Sequence, residues 1–184
     1  MSRRHHKDLK LLYGGLSRDF IVNGIRLVVS PFQLHPFTVE AIVFEEDTNL
    51  ILTVDKKFIY QEEHPIRLMT EIMHAKTHDP GSLVINGKNW YAVVVDVNAD
   101  EMCHPLWIEQ AYVNIFKRIQ KNSVHSIGIS LLGISHVQMD VQSCLDIFLE
   151  HLQPDPPKCL KTIWLIVADQ SVSAVTTALR KRKK

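Results

Sequence analysis

Ser126-Ile127-Gly128-Ile129-Ser130-Leu131-Leu132 is a short apolar strand that runs straight into Gly133, with helical periodicity on either side. Strand, glycine turn and helix is how α/β proteins present free backbone N–H groups and a helix dipole to an anionic ligand. The loop Leu132-Gly133-Ile134-Ser135-His136 is therefore the leading candidate site. Its N–H groups, the Ser135 hydroxyl and His136 are the groups that could hold an anion. The alternative is a plain turn in which Gly133 only satisfies a backbone angle.

The flanking pattern repeats this alternation. Ile25–Val29, Glu40–Phe44 and Leu50–Val54 read as strands, the last two separated by the acidic turn Glu45-Glu46-Asp47-Thr48-Asn49. Pro65 opens a helix with Ile66, Met69, Ile72 and Met73 on one face. Ser82–Ile85 and Trp90–Val97 flank the hairpin signal Asn86-Gly87. Pro105 opens a helix carrying Ile108, Ala111, Tyr112, Ile115 and Ile119 at helical spacing. Val141, Cys144, Leu145, Phe148 and Leu152 mark another. Thr162–Ala168 is almost wholly apolar, as a central strand covered on both faces should be, and Ser171 is placed to cap a last helix. Helices interleaved with buried strands predict an α/β protein, a three-layer α/β/α sandwich with a mixed central sheet. Residues 1–24 form a polar leader, 25–180 the domain and 181–184 a basic tail.

A chain of 184 residues fits one domain of this kind. Lys and Arg number 21 against 20 Asp and Glu, which excludes a uniformly basic nucleic-acid binder. The basic residues at Arg180–Lys184 read as a solvated end. No apolar run approaches the ~18 residues that would span a bilayer, so an intracellular protein without a membrane partner is expected. Cys103, Cys144 and Cys159 are odd in number and form no CxxC pattern, so they read as buried thiols.

In order, these segments resemble a macro domain, the ADP-ribose-binding fold. Ile25–Val29 is similar to the family's opening strand, and Glu40-Ala41-Ile42-Val43 to its "DAIV" strand. Gly81–Gly87 resembles the "G-x-A-x-x-T-x-G" segment, and Ala111-Tyr112 the "AY" helix. Ser126–Gly133 is similar to the "SIAFPALGTG" strand and loop, and Leu160–Asp169 to the last core strand. The resemblance implies a module binding ADP-ribose, or an ADP-ribosylated protein, as a non-catalytic reader, with no cofactor. A scaffold domain and an ADP-ribosyl hydrolase are the other readings.

The implied site consists of Thr48, Asn49, Leu132, Gly133, Ile134, Ser135 and His136. Asn49 takes the place of a ribose-contacting Asn. Around them the chain departs from the family pattern. Ser30-Pro31-Phe32-Gln33 carries no carboxylate for an adenine, and Leu50-Ile51-Leu52 stands where glycines are expected. Three carboxylates beside a diphosphate oppose it by like-charge repulsion.

Other constellations read as structure. Glu71, His74 and His78 share helical spacing, but a solvated face is preferred to a metal site. His5-His6 belongs to the terminus, and Cys103-His104 is too close in sequence to converge as nucleophile and base. Glu45, Glu46 and Asp47 are read as a solvated turn rather than acid–base catalysts, and Trp90 and Trp107 as core or rim aromatics.

Overall fold

The structure, a computed structural model, describes residues 18–53, 77–136, 139–152 and 155–181. In chain order the elements are β1 (Arg18–Val22), β2 (Ile25–Ser30), β3 (Ala41–Asp47), β4 (Leu83–Asn86), β5 (Asn89–Val95), α1 (Pro105–Asn122), β6 (Ser126–Ser130), α2 (Val141–Leu152), β7 (Thr162–Ile166) and α3 (Val172–Lys181). The strands form one mixed sheet in the order β1-β2-β7-β6-β3-β5-β4. The five inner strands are parallel, and β1 and β4 close the edges antiparallel. The two apolar C-terminal runs pair with each other: β6 and β7 are inner neighbours, from Ser126 opposite Thr162 to Ser130 opposite Ile166.

Strand alternation sorts the side chains into two faces. Leu27, Val29, Ala41, Val43, Ala92, Val94, Ile127, Ile129, Ile163 and Leu165 share one core with the apolar stripes of α1, α2 and α3. On the opposite face a row of rings crosses the strands. Phe44 stacks with Tyr91, and Phe32 packs on both Phe44 and Trp164. Gly128 makes room for this row, because a Cβ there would lie 3.2 Å from the Trp164 ring and 3.3 Å from Ile166.

Local signals explain the helix and turn boundaries. His104 caps α1, its Nδ1 accepting the Leu106 N–H at 3.2 Å, and Pro105 follows in the first turn, where a missing N–H costs nothing. Ser171, expected as the cap of the last helix, ends a short 3₁₀ turn, Asp169–Ser171, that leads into α3.

Three expectations need correction or fall elsewhere. Arg18–Val22, read as part of a leader, is an edge strand folded onto β2 through a turn at Asn23-Gly24. Only Phe20 of this strand is buried, which is why its sequence carries so little apolar signal. Leu50–Thr53 is turn and irregular chain rather than strand, and Leu50 adopts φ +58°. The helix expected from Pro65 lies outside the described residues.

Because the inner strands are parallel, their C-terminal ends share one edge. There Leu131 N–H donates to Ile166 O, Val167 N–H to Ser30 O, and Thr48 N–H to Val95 O. Open α/β sheets bind ligands along this edge.

Candidate functional site

Gly133 lies at this edge with φ +90°, a conformation that L side chains rarely adopt. A Cβ would also sit 2.8 Å from Ile108 Cδ1 and 3.1 Å from both Cys144 Sγ and Met139 Sδ. The loop is fastened around it. Leu132 N–H donates to the buried Tyr112 hydroxyl at 3.2 Å, and Met139 N–H to Gly133 O at 3.0 Å. Ile134 is half-buried, while Ser135 and His136 are exposed. Gly133→Ala is expected to lose about 2 kcal/mol of unfolding free energy through backbone strain and overpacking. Denaturant titration checks this, and an unchanged midpoint would show that the loop tolerates another geometry.

The acidic run is not a solvated turn. Strand β3 continues through Glu45, Glu46 and Asp47, which are only 3%, 0% and 2% exposed. Each carboxylate holds backbone donors. Glu45 Oε2 accepts Gly133 N–H at 2.7 Å and its Oε1 accepts His136 N–H at 3.2 Å. Glu46 accepts Asp47, Leu52 and Thr53 N–H and the Thr53 hydroxyl. Asp47 Oδ1 accepts Asn49 N–H at 2.6 Å and Ile51 N–H at 3.3 Å. A buried carboxylate is tolerated when donors surround it, and here two loops supply them.

Register explains the Glu45 contact. β3 pairs with β6 through Val43 opposite Ile129. Two residues further along β3, Glu45 keeps the face of Val43, and its side chain meets the chain where it turns at Gly133, four residues beyond Ile129. That alternation, Ala41-Val43-Glu45, was present in the sequence. The charge of the run concealed it.

The remaining site residues fall on the same edge. Thr48 is buried, anchored through its N–H to Val95 and its carbonyl to His78 N–H, and its hydroxyl has no hydrogen-bond partner among the described residues. Asn49 sits in a turn held by the Asp47 side chain, as an Asn in a turn commonly does. Thr48 and Asn49 follow β3, Leu132–His136 follow β6, and these two strands are neighbours. Ser30 O accepts the Trp164 indole N–H at 3.3 Å, and His35 lies against the Trp164 ring with centroids 4.8 Å apart.

Other candidate chemistry resolves into structure. Burial, with Glu45 nearby, pushes the Cys103 thiol up to about 11 and the Cys144 thiol up to about 12, so neither is a ready nucleophile. Burial likewise raises the Tyr112 phenol well above its ordinary range. His104 is a helix cap rather than a base for Cys103. Trp90 is in the core, and Trp107 is half-buried beside His104. Of the helical-spacing trio, His78 lies in irregular chain just before the turn at Pro80-Gly81, while Glu71 and His74 lie outside the described residues. Among the described residues no three His, Cys, Asp or Glu converge as metal ligands, and no helix is long and apolar enough to cross a membrane.

No protein-family model matches the sequence, and no curated protein matches it. Solved structures do match. The fold is similar to a macrodomain of Oceanobacillus iheyensis with ADP, at TM-score 0.66 and 14% identity over 91% of this chain and 96% of that one. A variant of that macrodomain with ADPR gives TM-score 0.65 at 14% identity, over 91% and 98%. A Trypanosoma brucei macrodomain in complex with ADP gives 0.59 at 14% identity, over 83% and 68%. The chain thus has the macrodomain fold, in a sequence far from those of its structural neighbours.

Proposed function

We propose that this chain is a nucleotide-binding module of macrodomain fold, taking ADP-ribose or a related nucleotide at the C-terminal edge of its parallel strands. It acts as a reader of ADP-ribose or of ADP-ribosylated protein inside the cell, without catalysis. The observation that carries this reading is the loop after β6. Ile134 N–H and Ser135 N–H have no partner among the described residues, and the exposed Ser135 stands beside them at the C-terminal edge of the parallel strands; neighbours of the same fold were solved with ADP and with ADPR. Successive backbone N–H groups at a turn suit an anion. A non-catalytic role is supported by the engagement of the nearby acidic groups, since Glu45, Glu46 and Asp47 all accept backbone N–H bonds.

A scaffold domain that has given up the nucleotide is the second reading. It draws on Leu50-Ile51-Leu52, whose side chains stand where a close backbone approach needs glycines. Calorimetric titration with free ADP-ribose separates the two. Saturable heat with a Kd of about 10 μM to 1 mM is expected for the reader, and silence at millimolar ligand leaves the scaffold. Release of ADP-ribose from a modified protein by the purified chain would overturn the non-catalytic assignment.

A further inference from the structure

We propose that Glu45 is a specificity-determining residue of this site: by occupying two N–H groups of the loop after β6, it limits that loop to a single phosphoryl group. The proposal rests on the nucleotide-binding reading above and goes on to the class of nucleotide.

Residues 132 to 136 carry five backbone N–H groups at the turn. Leu132 N–H is taken by the Tyr112 hydroxyl. Gly133 and His136 N–H are taken by the two oxygens of one Glu45 carboxylate, at 2.7 and 3.2 Å. The loop therefore already cradles an anion, supplied by its own chain from the core side. Among the described residues the Ile134 and Ser135 N–H groups have no partner, and with the Ser135 hydroxyl they are left for a ligand from the solvent side.

Two adjacent N–H groups and a hydroxyl match the oxygens of one phosphoryl group. A second phosphoryl group would need the Gly133 and His136 donors. Drawing them away would leave a carboxylate that is 3% exposed without the bonds that make its burial tolerable. The Glu45 charge, lying behind the loop in a poorly solvated place, also opposes each added negative charge on the ligand. Both effects act on the diphosphate and spare the monophosphate. Glu45 thus cancels the gain that an ADP-type ligand would draw from its second phosphate.

The test compares AMP with ADP by calorimetry on the full chain and on Glu45→Gln, which keeps the side-chain shape while removing the charge and one acceptor. In the wild type the two Kd values are expected to agree within about threefold, and in E45Q the preference for ADP over AMP should rise by about tenfold or more. A role confined to stability would move both ligands together. An unchanged ratio in E45Q, or a wild type that already prefers ADP by about tenfold, overturns the proposal.

Should E45Q fail to fold, amide shifts of the wild type titrated with AMP decide the matter. Ile134 and Ser135 should move while Gly133 and His136 hold; equal movement of all four counts against it. If folded wild-type protein binds neither AMP nor ADP nor ADP-ribose, the nucleotide reading itself falls and takes this inference with it. Binding with the wrong ratio removes only the role given to Glu45.

Discussion

Trp164→Ala is expected to lower the unfolding free energy by about 3–5 kcal/mol, the range for truncating a large buried aromatic. Trp164 is 0% exposed in β7, between β2 and β6. Its ring fills the space that Gly128 leaves open on the neighbouring strand, and it stacks on Phe32 with centroids 5.9 Å apart. Its indole N–H donates to Ser30 O, at the strand end where the chain turns toward Phe32 and His35. Alanine would leave a cavity facing Gly128, which has no side chain to help fill it. At this chain length each kcal/mol moves Tm by about 2–4 °C, so a fall of roughly 10 °C is expected. Trp164→Phe should cost less, about 1–2 kcal/mol, for lost volume and the lost indole donor. A thermal scan showing Trp164→Ala within about 1 °C of wild type would mean that the ring does not anchor the Ser30 end of the sheet.

The parts of this fold visible in the sequence are those built by apolar burial. Thr162–Ile166 is legible because a central parallel strand is covered on both faces. The stripe from Ile108 to Ile119 and the Asn86-Gly87 turn are legible because helix and hairpin impose fixed spacings. Arg18–Val22 is illegible for the opposite reason, since an edge strand buries one side chain and its remaining residues look like any polar segment. In the site, Gly133 could be picked out because its backbone angle demands a residue type. The fate of Glu45 could not. A charged residue reads as solvated unless the donors that satisfy it are known, and those of Glu45 lie 88 and 91 residues away in sequence. Only the register between β3 and β6 brings them together.

Glu46→Ala carries the second large effect, a loss of about 3–5 kcal/mol, because it removes one acceptor from several buried donors at once. Glu46 is 0% exposed, and its two oxygens bind Leu52 N–H at 3.0 Å, Thr53 N–H at 3.1 Å, Asp47 N–H at 3.3 Å and the Thr53 hydroxyl. Thr53 is itself buried, so its N–H and hydroxyl would be left without the acceptor they now share. Glu46→Gln keeps the volume and one oxygen but turns an NH₂ group toward a donor, and an intermediate loss of about 1–3 kcal/mol is expected. The damage should be local before it is global. Leu52 and Thr53 amides should lose hydrogen-exchange protection first, because Glu46 joins the end of β3 to the segment running from Thr48 to Thr53. Thr48 and Asn49 lie in that segment, so nucleotide affinity should fall in step with the loss of protection. If Glu46→Ala instead kept wild-type protection at Leu52 and Thr53, the loop would be held by other contacts. The buried carboxylate would then need a different purpose, and acid–base chemistry at the C-terminal edge of the sheet would be the one to test.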